Sequence, residues 1–243
     1  MEFVDDAFVL GARLHGESGA IVDLLTAAHG RVVAHVAGGA SRRLKPVLQP
    51  GTRVEARYRA RTSENLGSAT VEPIGEGPSA LFDDRLALAG LSAAAAVAQG
   101  ALPEREAHPG AYLAFEALTG ALAWPEIWPA VYVRFEAGLL EVLGFGLDLS
   151  RCAASGAVDD LIYVSPRTGR AVSRDAGTPY KDKLLKLPPF LLSSQGGLSE
   201  GDVRAGLDLT GHFLEQNVFH PMNRPLPPAR VWLVDQLATA GRL

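Results

Sequence analysis

The sequence predicts an α+β protein in which an N-terminal OB-fold β-barrel precedes an all-helical C-terminal domain. Five short runs rich in Val, Leu and Ile fill the first part of the chain, with turn residues and no helical pattern between them. The apolar period then becomes helical for the rest of the chain. Gly75, Gly77 and Pro78 lie at the change and indicate a linker. We therefore predict a barrel domain over 1–77 and a helical domain over 80–243.

The predicted strands of the first domain are short and are bounded by turns that contain Gly, Pro or Asn. They are residues 8–14, 20–26, 31–36, 52–61 and 69–72. Five strands of this length in one small domain, with no helices between them, are typical of a closed barrel such as the OB-fold.

The second domain shows helical spacing of apolar residues, together with end signals. The predicted helices are 81–99, 109–123, an apolar stripe over 132–143 closed by Gly144, a helix from Ser199 to His220, and 228–240. Ser199 is the predicted N-cap of the fourth helix, with Asp202 three residues later. The segment 145–189 contains Gly, Pro and Ser throughout, so we predict an irregular insertion there.

Composition indicates an ordinary globular protein. Hydrophobic residues make up 47% of the 243 residues, and charged residues 21%. The single cysteine, Cys152, excludes an intramolecular disulfide and fits a reducing compartment. The acidic N-terminus does not resemble a secretory signal, and the longest apolar stretch, 86–98, is shorter than the roughly 20 residues that span a bilayer. We therefore expect a cytoplasmic protein with no membrane association.

Charge is distributed unevenly along the chain. The net charge is −4, yet the segment 31–61 holds eight basic residues and a single acid, Glu55, which gives that segment a net charge of +7. A local basic block in an acidic protein indicates a specific contact with a polyanion, since local charge rather than the total sets such contacts.

Alternation within the fourth predicted strand suggests how the basic block is displayed. Apolar residues alternate with Arg53, Arg57, Arg59 and Arg61, so the arginines share one face, with successive side chains roughly 6.6 Å apart. The loop 38–45 adds further cations beside glycines. A solvated strand face beside a basic loop is the alternative, but a face that serves only solubility usually mixes both signs of charge.

We therefore predict a phosphate-binding surface. Its residues are Arg31, Arg42, Arg43, Lys45, Arg53, Arg57, Arg59 and Arg61. Exposed aromatic residues that stack on bases are scarce in this domain, so we expect electrostatic binding that tolerates different nucleotide sequences.

An ordered set of short motifs resembles the RecO family of bacterial recombination mediators, most closely its alphaproteobacterial branch. The set covers nearly the whole chain and comprises His15-Gly-Glu-Ser-Gly19, Gly38-Gly-Ala-Ser-Arg-Arg43, Leu48-Gln-Pro-Gly51, 134–144, Gly146-Leu-Asp-Leu149, 163–169 and His220-Pro-Met-Asn-Arg-Pro225. No single motif is diagnostic, and the order of the set carries the resemblance.

The resemblance implies a DNA repair protein with an OB-fold and a helical C-terminal domain. It implies binding to single- and double-stranded DNA and annealing of complementary strands. It further implies contact with RecR and with the acidic C-terminal tail of the single-stranded-DNA-binding protein, which together help to load RecA onto coated DNA.

One departure from the family concerns zinc. Many members carry four cysteines in the C-terminal domain, whereas this chain has Cys152, Ser155 at the expected second position, and no cysteine in 169–175. A structural zinc site needs four Cys or His ligands, and 145–189 contains no histidine. We therefore predict no zinc and no other cofactor.

The sequence offers no catalytic centre, so we predict that the protein is not an enzyme. Gly16-Glu-Ser-Gly19 lacks the glycine spacing of a hydrolase nucleophile elbow, and no Gly-rich loop ends in Lys-Ser/Thr. The alternative function is a protein-interaction adaptor whose basic barrel face binds an acidic peptide. If the acidic tail binds elsewhere, we expect an apolar groove of the helical domain with a basic rim such as Lys181, Lys183 and Lys186.

Overall fold

The structure is a computed structural model that describes residues 1–62, 65–75, 77–81, 83–193 and 196–243. Its N-terminal part is a closed five-stranded barrel with strand order β1-β2-β3-β5-β4. The strands are β1 (Glu2–His15), β2 (Gly19–Thr26), β3 (Gly30–Val36), β4 (Arg53–Arg59) and β5 (Gly67–Pro73). The predicted barrel and all five of its predicted strands are confirmed.

Strand β1 closes the barrel because it pairs antiparallel with β4 through its first half and with β2 through its second half. A register shift between Val9 and Gly11 marks the irregularity where this long strand changes partners, as bulges do at barrel corners. A short parallel pairing, Ala34 with Gly67 and His35 with Ser68, joins β3 to β5.

In the described part of the chain, six α-helices follow the barrel. They are α1 (Arg85–Ala101), α2 (Pro109–Ala121), α3 (Trp128–Val142), α4 (Arg174–Gly177), α5 (Asp202–Phe213) and α6 (Pro228–Thr239). Helix α1 begins later than predicted because the Asp84 carboxylate caps the N–H groups of Leu86 and Ala87, each at 3.0 Å. Phe82, inside that predicted helix, lies outside the described residues.

Helix α5 begins at Asp202 rather than directly after Ser199, so the predicted N-cap is displaced. Gly201 occupies the cap with φ +81°, and the Asp202 carboxylate instead accepts the N–H of Ser199 at 2.8 Å. A π-helical turn over Leu214–Phe219 and a 3₁₀ turn over His220–Met222 continue the helix. The predicted end near His220 is therefore correct.

The segment 145–189 is irregular over 145–160, as predicted, but the prediction was wrong for the rest of the segment. It forms a three-stranded sheet of order β7-β6-β8, with β6 (Leu161–Val164), β7 (Ala171–Ser173) and β8 (Leu185–Lys186). The C-terminal part is therefore mainly rather than wholly helical. Strands of two to four residues are too short to give a recognisable period-2 pattern.

The barrel packs directly against the helices. The ring of Phe8, on β1, contacts Tyr112 and Phe115 of α2 with centroid distances of 5.2 and 5.3 Å. Phe8, Leu10 and Leu25 belong to the same buried apolar cluster as the helices. The outer face of the barrel is thus divided into a part covered by helices and a part open to solvent. Among the described residues, no helix combines the length and the apolar character needed to cross a bilayer.

Candidate nucleic-acid interface

The alternation predicted for β4 is present. Val54, Ala56 and Tyr58 are buried in the barrel core, whereas the side chains of Arg57 and Arg59 are 62% and 77% exposed. Strand geometry therefore presents these two guanidinium groups to solvent, as expected from the period of two.

The face around these arginines carries both signs of charge. In the barrel register Arg59 lies opposite Glu2 of β1, and Glu55 lies between Asp6 of β1 and Glu72 of β5. Arg57 Nη2 donates to Glu55 Oε1 at 3.0 Å, and Arg59 Nε lies 3.8 Å from Glu2 Oε2. The β4 face is therefore not the uniformly basic row that the sequence of one strand suggests. Exposed pairs of this kind are weak, so both arginines remain accessible to a polyanion.

Arg53 belongs to a contact between the barrel and the helices. Its guanidinium contacts Asp6 of β1 at 2.7 Å and Glu116 of α2 at 3.0 Å. The hydrogen bond to Asp6 raises the pKa of Arg53 further above its usual value, against the opposing effect of burial. Its charge is already balanced by two carboxylates.

Arg31 is held in the same way. It contacts Asp23 at 2.7 Å and Glu104 at 3.6 Å, its Nε donates to the Leu102 carbonyl at 2.9 Å, and only 14% of the side chain is exposed. Burial raises the pKa of Asp23 to about 6, although the charge and hydrogen bond of Arg31 act in the opposite direction. Sequence alone did not reveal these partners, because Asp23, Leu102 and Glu104 lie on other elements.

The loop between β3 and β4, residues 37–52, presents three exposed cations. Leu48 is buried in the barrel, and Leu44 and Val47 pack against the same core. Arg42, Arg43 and Lys45 point outward and are exposed. None of the three forms an ion pair with any residue that the structure describes.

Hydrogen-bonded turns order this loop. The N–H of Lys45 donates to the Ser41 carbonyl at 3.0 Å, and the Ser41 hydroxyl accepts the N–H of Leu44 at 3.3 Å. The glycine that begins the loop, Gly38, has φ +70°, a conformation that residues with a Cβ adopt only at a cost. The three cations are therefore displayed from a preorganised turn.

Arg61 follows β4 and completes the set of predicted residues. It is exposed and makes no ion pair with the rest of the described chain. Of the eight predicted cations, four contact no carboxylate within the described residues, two are exposed beside carboxylates, and two lie inside the barrel–helix contact. The first four are Arg42, Arg43, Lys45 and Arg61.

The three lysines predicted at a partner site are exposed on the small sheet region. Lys181 and Lys183 lie on a 3₁₀ turn over Thr178–Lys183, and Lys186 lies on β8. A groove of about 690 Å³ in the helical part is lined by four leucines (Leu147, Leu149, Leu191 and Leu192) and by Arg134, Glu141 and Asp148, and not by these lysines. Arg134 itself donates to the carbonyls of Phe190 and Ser193.

Two sequence profiles of one family match consecutive parts of the chain. The profile described as Recombination protein O N terminal matches residues 1–75, and Recombination protein O C terminal matches residues 83–226. The chain belongs to the RecO family. The two matches are separated by residues 76–82, which lie between the barrel and α1.

Full-length relatives agree with this assignment. The chain is 76% identical over 243 residues to the DNA repair protein RecO of Phenylobacterium zucineum and 75% identical to that of Caulobacter vibrioides strain NA1000, with complete coverage of both. It is 51% identical over 235 residues to that of Methylobacterium nodulans, with 95% of each chain covered. The chain therefore belongs to a family of DNA repair and recombination proteins. None of the names of these relatives denotes a catalytic activity.

The residues at the position of the family's zinc motif do not fit a zinc ion. The buried Cys152 Sγ accepts the hydroxyl of Ser173 and the N–H of Ser155, each at 3.4 Å. One thiol and two hydroxyls do not make the four Cys or His ligands of a structural zinc site. Within the described part of the chain, no group of three or more His, Cys, Asp or Glu residues is placed to hold a metal ion.

Proposed function

We propose that this RecO-family chain binds nucleic-acid phosphates through the cations of the β3–β4 loop. The observation that carries the proposal is the cluster of Arg42, Arg43 and Lys45. These cations lie on an ordered turn, are exposed to solvent, and have no carboxylate partner among the described residues. The net charge of the chain as a whole is −4. Arg61 extends the cluster, and Arg57 and Arg59 add contacts that must compete with Glu55 and Glu2.

Arg31 and Arg53 have a structural part in this proposal. Each already contacts two carboxylates and joins the barrel to the helical part. Releasing either guanidinium to a phosphate would leave partly buried carboxylates unpaired, which costs more than an exposed contact returns.

Membership of the family supports a wider proposal. We propose that the protein binds single- and double-stranded DNA without enzymatic turnover, anneals complementary strands, and helps to load RecA onto DNA coated by the single-stranded-DNA-binding protein, together with RecR. Binding that reads phosphates rather than bases suits this function, because annealing and loading must operate on any sequence.

A salt titration of oligonucleotide binding tests the proposal. If about five phosphates of a single strand are neutralised, the slope of log K against log[salt] is about −3.5. Fluorescence anisotropy of a labelled oligothymidylate at several salt concentrations measures this slope, and a second oligonucleotide of mixed sequence checks sequence tolerance. A slope near zero would exclude phosphate binding as the source of affinity.

The acidic tail of the single-stranded-DNA-binding protein has two candidate positions. Arginines of the barrel suit an acidic peptide as well as a phosphate backbone, and the groove beside Arg134 offers leucine side chains together with Glu141 and Asp148. We propose the groove, with Lys181, Lys183 and Lys186 as an outer basic surface. Adding oligonucleotide to a complex with the labelled tail peptide separates the two positions. Simultaneous binding supports the groove, and displacement assigns the peptide to the barrel.

A further inference from the structure

A second basic surface lies where the barrel meets the helical part. The outer face of β1, β2 and β3 forms one wall of a groove of about 780 Å³, and the other wall comes from α1 and from residues 219–228. This volume lies within the range of sites that bind extended small ligands.

The two walls carry opposed arginines. Arg13 projects from β1 and Arg224 from the segment that precedes α6, and both line the groove and are exposed. Neither forms an ion pair with a residue that the structure describes. Arg13 acts on the charge of Asp23 at longer range, but no direct carboxylate contact within the described residues holds either guanidinium.

The motif His220-Pro-Met-Asn-Arg-Pro225 explains the position of Arg224. Asn223 adopts a left-handed conformation with φ +54° and ends the 3₁₀ turn. The N–H of Arg224 then donates to the Phe219 carbonyl at 3.0 Å. Prolines follow directly and restrict the backbone, so the chain reversal fixes Arg224 on the wall that faces the barrel.

The carboxylates of the groove are already neutralised in part. Asp23 and Glu104 both line it, and both contact Arg31. Counting the lining arginines 13, 31 and 224 against these two acids leaves the groove positive. A concave positive surface between low-dielectric walls concentrates anions.

We infer that this groove binds a single strand of nucleic acid, with successive phosphates between Arg13 and Arg224. The inference rests on the proposed function and adds a site to it, one that lies on both domains. The charge of a phosphate chain recurs at every nucleotide and meets cations on opposing walls. An apolar anchor of a peptide would need an open pocket, whereas the largest apolar side chains of the lining, Ile21 and Phe219, are already buried.

The test uses the full chain and an oligothymidylate as the probe. Arg13→Glu combined with Arg224→Glu is expected to lower affinity at least about tenfold, and Arg13→Ala with Arg224→Ala to reduce the salt slope by about 1.4. Arg151→Glu with Arg167→Glu is the control, since both residues are exposed on the small sheet region and the charge change is identical. Circular dichroism and melting temperature check the fold of each variant.

The outcomes separate this site from the loop site. Loss of affinity in the groove variants, but not in the control, supports the inference. Unchanged affinity in the groove variants, alongside lost affinity in a loop variant, overturns the groove and leaves the proposed function standing. Unchanged affinity in the groove variants and in the loop variant refutes both the groove site and the loop site. If the groove variants keep oligonucleotide affinity but lose binding of an oligoglutamate peptide, the groove is a peptide site and the inference is wrong.

Discussion

At the scale of single residues, a buried ion pair holds three helices together. Arg230 of α6 donates to Glu136 of α3 at 2.7 and 2.9 Å, and to the Leu207 carbonyl of α5 at 2.8 Å. Thr210 of α5 donates its hydroxyl to the same carboxylate. Both charged side chains are almost completely buried. Each group therefore depends on the other to offset the loss of water.

Removing one charge of this pair is expected to be costly. We predict that Glu136→Gln lowers the free energy of unfolding by about 3 kcal/mol, because Arg230 stays buried without a counter-charge. Urea denaturation measures the change. Arg204→Gln is the control, since it breaks the exposed pair with Asp208 and should cost less than about 1 kcal/mol. Equal stability of the two variants would contradict this account of the pair.

Asp23 predicts a dependence of stability on pH. Burial raises its folded pKa to about 6 from 3.8, and its Oδ1 is buried with no hydrogen-bond partner among the described residues. Because the folded pKa lies above the unfolded one, this group stabilises the fold fully below pH 3.8, and that contribution is lost as the pH rises through about 6.

The variant Asp23→Asn isolates this effect. We expect the wild type to gain about 2 kcal/mol relative to the variant between pH 7 and pH 4, as the carboxyl takes up its proton. Denaturation of both proteins across this range measures the difference. A difference that stays constant with pH would show that the carboxyl titrates with its ordinary pKa.

Sequence could identify every basic residue of the interface but not its partners. Arg31 and Arg57 look equivalent in one dimension. In the fold, however, Arg31 contacts Asp23 and Glu104, whereas Arg57 contacts only an exposed neighbour, Glu55. Such partners lie on other strands and helices, so only the folded register separates a structural arginine from an accessible one.

At the scale of elements, turns fix how the barrel meets the helical part. Gly30 begins β3 with φ +72°, and a Cβ placed there would lie 1.8 Å from the Glu106 carbonyl oxygen. Gly16 has a similar φ, +66°, but nothing lies within 4 Å of a Cβ there. A side chain at Gly16 would therefore meet only backbone strain, whereas a side chain at Gly30 would meet backbone strain and a steric clash.

We predict that Gly30→Ala destabilises the protein far more than Gly16→Ala. Gly16→Ala should cost about 1–2 kcal/mol, the usual cost of a left-handed residue with a Cβ. Gly30→Ala should cost clearly more, because the segment at Glu106 must also move away from the barrel. Thermal denaturation of both variants compares them, and equal losses would argue against the close contact.

We predict that the small sheet is stable without a bound metal ion. Hydrogen bonds to the Cys152 thiol occupy the place of the family's zinc motif. We expect no stoichiometric zinc in the purified protein by elemental analysis, and no change of melting temperature with a chelator. One bound equivalent of zinc, or a marked loss of stability with the chelator, would contradict this.

The elements themselves differ in how far sequence predicted them. Strands such as β4 have enough alternating residues for the period of two to appear, and α2 and α6 begin at Pro109 and Pro228 as predicted. The strands β6 to β8 are too short to show the alternation of a strand in sequence. Contacts that only the fold reveals, such as the hydrogen bond between Cys152 and Ser173, stabilise them. The mixed charge of the β4 face was hidden because Glu2 and Glu72 belong to neighbouring strands.

At the scale of the whole molecule, the barrel and the helices share one buried cluster. Phe8 packs on α2, Arg53 contacts Glu116, and the N–H of Arg105 donates to the Arg31 carbonyl at 2.7 Å. This docking covers one side of the barrel and leaves residues 41–43, 45 and 46 of the β3–β4 loop exposed. The order of barrel and helices was predictable from periodicity, whereas the docked faces depended on contacts between distant parts of the chain.

We propose above all that the β3–β4 loop provides the main phosphate contacts. Comparing a loop variant with a control variant of equal charge change tests this most directly. The test variant combines Arg42→Glu, Arg43→Glu and Lys45→Glu. The control combines Arg85→Glu, Arg151→Glu and Arg167→Glu, which are exposed, unpaired within the described residues, and change the net charge equally. Oligothymidylate binding is measured for both over a range of salt concentrations.

We expect the loop variant to lose at least about tenfold in affinity and the magnitude of its salt slope to fall by about 2, since roughly 0.7 is lost for each phosphate contact on a single strand. The control should keep the wild-type slope. An equal loss in both variants would mean that overall charge governs binding, and an unchanged slope in the loop variant would show that these cations do not contact the phosphates.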